Sequence, residues 1–315
     1  MGSISMISRI DHITILLSEE EFKSPPSWLS DNFTIIEGGK HTGMYSAKFS
    51  KIDSNSSISG QASQLKLIVF ADGTYLELFN WWAQPPEGHT WGTKSPGLID
   101  WSISSMSTQT PAEHFQGVSQ RLNKDTGGDG NLGVSFPEPT GQGRTTPEGL
   151  KLHWKRANPD FHNASETPDE KFFPTGRLDS PFVCYDGSPR LTRLKFDDPA
   201  RVTHPCGATG VDQVEVVVPS SHVKNYLRLL SSIIGSPPST AVGQPGYMFS
   251  LGLPVENKGE CSIWLHGERD GKDERWLSTR GIGPLMLRLR VKGREGHGEE
   301  LLGKDGSATH VSLVW

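Results

Sequence analysis

Arg9-Ile-Asp-His-Ile-Thr-Ile-Leu-Leu17 alternates, the mark of a strand with two different faces. Ile13, Ile15 and Leu17 fall on one side and suit burial under a helix, while Ile10, His12 and Thr14 fall on the other. Thr74-Tyr-Leu-Glu-Leu-Phe79 repeats that logic: Leu76 and Leu78 point one way, and Tyr75, Glu77 and Phe79 the other. A histidine and a carboxylate thus occupy matched places on two strands. A cupped sheet aims two such groups into one cavity.

The chain between those strands supplies the connecting elements. Ser18 followed by Glu19, Glu20 and Glu21 suits a helix start, which Pro25-Pro26 interrupts. Thr34-Ile-Ile-Glu37 runs into the Gly38-Gly39 turn, and 54–59 is a polar loop. Leu65-Lys-Leu-Ile-Val-Phe70, the Asp72-Gly73 turn and the Glu77 strand form a hairpin.

The same order recurs, so internal repetition shapes the whole reading. Gly97-Leu-Ile-Asp-Trp-Ser-Ile103 lies over 9–15 and places Asp100 at the His12 position. A helix starting with Pro111 at its first position follows. Leu150-Lys-Leu-His-Trp154 resembles 65–69, and Pro181-Phe-Val-Cys-Tyr185 resembles 74–78, which puts Cys184 where Glu77 stood. A third pass begins at Gly210-Val-Asp-Gln-Val-Glu-Val216, with Gln213 at the histidine position. It continues through a helix over 221–234 and strands near 246–251, 261–265 and 285–289, where Arg288 takes the glutamate position. The segments 124–142 and 159–176, rich in Gly, Pro, Asp and Thr, read as long loops over the cavity.

Composition sets the outer bounds. The 315 residues suffice for two domains or one large repeat-built fold, and 35 Gly with 22 Pro favour strands and structured loops. A net charge of -5 gives no basic field for nucleic acid. Mean hydropathy of -0.44 and the lack of a long apolar run argue against a membrane protein. Three separated cysteines (Cys184, Cys206, Cys261) do not make a disulfide framework, and no signal-peptide pattern opens the chain. A cytoplasmic protein is expected, with the sequons at Asn32, Asn55 and Asn163 as chance matches.

The motifs "IDHI" (10–13), "EGGKH" (37–41), "KLIVFADGTYLELF" (66–79), "WG" (91–92) and "GLIDWSI" (97–103) resemble the glyoxalase-like domain family of the vicinal-oxygen-chelate superfamily, in its fungal form. The match covers roughly 9–186. The resemblance implies an α+β fold of repeated βαβββ modules forming cupped, U-shaped mixed sheets. Residues 1–200 would hold two paired modules (about 9–82 and 97–186), and 201–315 a third, degenerate one. In the superfamily, ligands from first and last strands bind a divalent metal, and its members include isomerases, lyases, dioxygenases and metal-free binding proteins. Fold is therefore implied more firmly than reaction.

Carried over position by position, the resemblance assigns the first-strand histidine to His12 and the last-strand glutamate to Glu77. Asp100 and Cys184 depart from the usual second-module pattern. His12, Glu77 and Asp100 are the candidate catalytic residues and the candidate ligands of one divalent metal (Zn, Fe, Mn or Ni). His41, Tyr75, Phe79, His153 and Cys184 are candidate substrate-binding residues.

Three functions stay open. One is a lyase or isomerase, for which the resemblance suggests secondary metabolism, that polarises an oxygen of a small, oxygenated, apolar metabolite through a metal or through acid–base groups. The second is a metal-free small-molecule binding protein, and the third a metal-dependent dioxygenase. Carboxylates in an apolar cup favour turnover, because burying them is costly. The partner is then a small-molecule substrate, with no nucleic acid or membrane, and a homodimer is an open alternative.

Overall fold

The computed structural model of the chain describes residues 6–41, 62–87, 89–124, 132–162, 173, 180–240, 243–256, 258–292, 294, 296–302 and 310–315. The 54–59 loop, the sequons at Asn55 and Asn163, and much of the 124–142 and 159–176 segments lie outside these residues.

The first module comprises β1 (Ser8–Leu16), α1 (Glu19–Lys23), α2 (Ser27–Ser30), β2 (Ile36–His41), β3 (Ser63–Val69) and β4 (Tyr75–Trp81). Ser18 caps α1 in a capping box with Glu21, as its sequence position predicts. The second module comprises β5 (Gly97–Ser105), α3 (Pro111–Lys124), β6 (Val134–Ser135), β7 (Thr140–Thr145), β8 (Lys151–Ala157), β9 (Asp160–Phe161) and β10 (Phe182–Asp186). β6 and β9 pair only with each other. The helices α4 (Arg190–Leu194) and α5 (Pro199–Val202) lead out of the module.

β1 runs parallel to β4 and antiparallel to β5, and β5 runs parallel to β10. The resulting cupped sheet curls until β2 meets β7, giving a closed barrel of order β1-β4-β3-β2-β7-β8-β10-β5. Two glycines allow that seam. Gly39 has φ +95°, and a Cβ there would lie 2.4 Å from the Thr145 carbonyl oxygen, while a Cβ on Gly38 would enter the Leu65 side chain.

The second half repeats the pattern in β11 (Ala208–Val218), α6 (Val223–Ile234), β12 (Ser239–Thr240), β13 (Tyr247–Leu251), β14 (Cys261–Gly267), α7 (Gly271–Arg280), β15 (Gly283–Val291), β16 (Glu299–Leu302) and β17 (Val311–Val314). Its seven-stranded sheet, β12-β13-β14-β11-β15-β17-β16, does not close. β14 lies parallel to β11, as β4 does to β1, so β14 ends the third module. β15 lies antiparallel to β11, as β5 does to β1, and opens a fourth, partial module. Arg288 therefore does not occupy the glutamate position: it stands on a first strand, opposite Gln213. The expectation failed because β14 and β15 have similar apolar alternation, and only pairing direction separates them.

Alternation holds in β4, where Leu76 and Leu78 enter the main core and Tyr75, Glu77 and Phe79 face inward. It breaks once in β1. The register against β5 shifts between Ile10 and His12, so Ile10 joins Ile13, Ile15 and Leu17 in the core instead of sharing the His12 face. The core lies outside the barrel, under the helices and between the halves. There Arg121 of α3 donates to the Ser232 carbonyl of α6 at 2.7 Å. Cys184, Cys206 and Cys261 are free thiols. No helix among the described residues is long and apolar enough to cross a membrane.

Candidate active site

The barrel interior holds a cavity of about 700 Å³, counting its open mouth. β1 contributes His12, and β4 contributes Tyr75, Glu77 and Phe79. β3 adds Leu65 and Leu67, and the second module adds Arg144, Trp154, Arg156, Phe182 and Cys184.

His12 is fixed from two sides. Its ring stacks on Tyr75 with centroids 4.7 Å apart, and Phe182 meets it edge-on. Its Nδ1 lies 2.7 Å from Oδ2 of Asp11. With Asp11 as acceptor, Nδ1 carries the proton and Nε2 is left for the cavity. The β1 irregularity makes this pair possible by turning Asp11 inward beside its own neighbour.

Asp11 is fully buried and needs compensation. Arg190 and Arg193, one turn apart on α4, both reach its carboxylate. Arg190 also donates to the carbonyls of Asp11 and Gly73, and Arg193 pairs with Asp186 at 2.9 Å and donates to the Tyr75 hydroxyl at 3.2 Å. Burial alone would raise the Asp11 carboxyl, but the two guanidinium groups and the His12 hydrogen bond hold it well below the usual carboxylate range.

Glu77 is the second inward group. Its backbone pairs with Thr14, two residues beyond His12, so the two side chains are diagonal neighbours on adjacent strands. Its side chain is 8 % exposed, and no hydrogen bond or ion pair reaches its carboxylate among the described residues.

Asp100 is elsewhere. Thr14 pairs with Asp100 and Ile15 with Leu98, so β5 carries Ile99 as an extra residue, and Ile99 takes the inward apolar place beside Leu16 and Phe79. The Asp100 carboxylate accepts from the Trp91 indole at 2.9 Å and from the Trp101 backbone at 2.8 Å. Asp100 thus positions Trp91, which lines the cavity, and is not among the lining residues itself.

The remaining candidates divide. Tyr75, Phe79 and Cys184 line the cavity. Burial pushes the Cys184 thiol up to about 12, so it stands as a neutral thiol against Arg193. His153 is exposed on the outer face of β8, where alternation turns Trp154 and Arg156 inward. His41 ends β2 opposite Arg144, and its side chain lies outside the described residues.

Asp11, Arg144, Arg156 and Arg193 are site residues that the strand pattern did not single out. Asp11 had a signal: an aspartate inside an otherwise apolar strand requires a partner. The spacing Arg190-x-x-Arg193 on a short helix supplies it.

The Glyoxalase-like domain model matches residues 10–230. The chain belongs to the glyoxalase-like domain family. This glyoxalase-like protein shares its fold with a hypothetical protein from Staphylococcus aureus (12% identity, 98% of this chain and 99% of the other, TM-score 0.57). It also shares it with a variant of 4-hydroxymandelate synthase from Streptomyces coelicolor (9% identity, 98% and 93%, TM-score 0.52). At these identities the likeness is one of fold, the cupped sheets of the vicinal-oxygen-chelate superfamily. No curated protein matches the chain.

The divalent metal that the superfamily implies does not fit the donors present. A protein metal site needs about three or four ligands. Only His12 and Glu77 offer suitable groups, since Asp100 is bound to tryptophan and Cys184 lies against the Arg193 guanidinium. No three His, Cys, Asp or Glu side chains among the described residues form a set that could hold a metal ion. Arg144 and Arg156 line the same cavity, so a dication there would meet their positive charges.

Proposed function

We propose that this glyoxalase-like protein is an acid–base enzyme of the lyase or isomerase type, acting on a small, oxygenated molecule with an apolar body. The observation that carries the reading is the juxtaposition of an aspartate-oriented imidazole with an unpartnered carboxylate in one cavity. A carboxylate at Glu77 can only accept, which suits removal of a proton from carbon beside a carbonyl. His12 receives or returns a proton at Nε2, and Asp11 stabilises the imidazolium that forms. Phe79, Trp91, Trp154 and Phe182 provide the apolar wall and limit water around the exchanging proton. The first half carries the chemistry in this reading, and residues 201–315 support it. Three free thiols suit a reducing compartment, where we place the protein.

Proton abstraction can be tested before the overall reaction is known. The protein is incubated in D2O with a panel of enolisable metabolites, and loss of individual C–H signals is followed by proton NMR. Exchange that depends on both Glu77 and His12 is expected. Molecules that bind tightly but show neither exchange nor turnover would leave a binding protein instead.

A further inference from the structure

The positive side of the cavity is not matched by the negative side. Arg193 is answered by Asp11 and Asp186. Arg144 is not. It is 6 % exposed, and its guanidinium donates to the backbone carbonyls of Gly38 and Arg193, the latter at 3.3 Å. No carboxylate forms an ion pair with it among the described residues. Carbonyl oxygens satisfy hydrogen-bond geometry but carry no net charge, and Glu77 and Glu148 act on the guanidinium only at a distance, so this buried cation has no carboxylate in contact with it. Arg144 also lines a second, open hollow with Glu37, Glu148, Lys195 and Arg201, so it stands in the wall between two spaces and is reachable from the barrel interior.

Another part of the lining is aromatic. The Arg156 guanidinium lies 4.0 Å from the Phe182 ring centroid and 5.1 Å from that of Trp91, while Phe79 meets Trp91 edge-on. A flat body fits against such rings better than a branched one.

We infer that Arg144 is the anion anchor of this cavity, and that the molecule it takes is a flat, apolar carboxylic acid. The carboxylate lies on Arg144 and the body against Phe182 and Trp91. The inference rests on the reading of this cavity as the substrate site and adds the substrate class to it. The anchor also completes the acid–base arrangement. A substrate held by its carboxylate has a fixed distance to Glu77, whose own negative charge keeps that carboxylate from occupying the base position.

Calorimetric titration with benzoate, benzamide and acetate separates the contributions. Benzoate has both charge and ring, benzamide the ring without the charge, and acetate the charge without the ring. Benzoate is expected to bind at least about tenfold more tightly than either. Arg144→Gln should remove that preference for benzoate over benzamide, and the exposed Arg275→Gln control should keep it. Equal binding of benzoate and benzamide to the unaltered protein, no benzoate binding, or a preference that survives in Arg144→Gln would each overturn the inference. If Arg144→Gln does not fold, the benzoate–benzamide comparison on the unaltered protein decides alone. Glu77→Gln keeps the two readings apart: it should bind benzoate as well as or better than the unaltered protein while losing deuterium exchange. Exchange that persists in Glu77→Gln would sink the acid–base reading and leave the anchor standing.

Discussion

Glu77 and His12 have different parts in the proposed proton transfer, and substitutions should reveal it. Glu77→Gln keeps shape and removes the charge, so exchange or turnover should fall by about 10²-fold or more. His12→Ala should be comparably damaging. Asp11→Asn should lower the rate and shift the acid limb of the pH–rate profile, because the imidazolium loses its stabilising carboxylate; a purely structural role would leave the profile in place. Gln213→Ala, on β11 of the second half, should leave turnover near its original value, and a large loss there would move the site. The His12 and Glu77 strands could be read from alternation because an inward polar residue between apolar neighbours stands out. Asp100 misled because an extra residue in β5 rotates its carboxylate toward Trp91, and nothing in 97–103 announces the insertion. Arg144 had no local signal at all. Its significance comes from the lack of a contacting carboxylate in three dimensions.

Among the elements, the β2–β7 seam is where a cupped sheet becomes a barrel. Gly38 and Gly39 are legible in sequence as a turn, yet they lie inside β2 and let it approach β7. Gly39→Ala must accommodate both an unfavourable φ of +95° and a Cβ 2.4 Å from the Thr145 oxygen. A loss of about 1–3 kcal/mol in urea unfolding is expected. Because Arg144 is tied to the Gly38 carbonyl across this seam, the same variant should also weaken benzoate binding; an unchanged midpoint would show that the seam bears no strain. Strand order was readable through the repeat, since each module begins with the same apolar alternation. Pairing direction was not, and the fourth module emerged only when β15 proved antiparallel to β11.

At the scale of the whole molecule, two buried groups outside the site give pH dependences of opposite sign. Asp72 lies in the β3–β4 turn against the second half. Its backbone N–H donates to the Thr209 carbonyl, and its Oδ1 accepts from the Thr74 backbone at 2.8 Å, while Oδ2 has no hydrogen-bond partner. Burial pushes its carboxyl up from 3.8 to about 6, against the Thr74 hydrogen bonds and the Arg290 charge. His114, on α3, bonds Ser8 and the Tyr185 hydroxyl, and since Ser8 donates to the Ile234 carbonyl, His114 Nε2 is the protonated nitrogen. Burial pulls it from 6.5 to about 4, with Arg121 and Arg9 adding to the effect. The folded state holds the Asp72 proton longer than the unfolded state does, so the stability this group contributes at low pH is lost as pH rises from about 4 through 6. The unfolded state takes up the His114 proton first, so its contribution is lost as pH falls from about 6.5 through 4. The two slopes oppose each other over one window and largely cancel in the intact chain. Asp72→Asn removes one of them. Compared with the unaltered protein, it should be more stable above pH 7 by up to roughly 3 kcal/mol, with the gain vanishing near pH 4. Chemical unfolding of both proteins from pH 4 to 8 measures the difference, and a gain that does not change with pH would show that Asp72 is already ionised at no cost between the two halves.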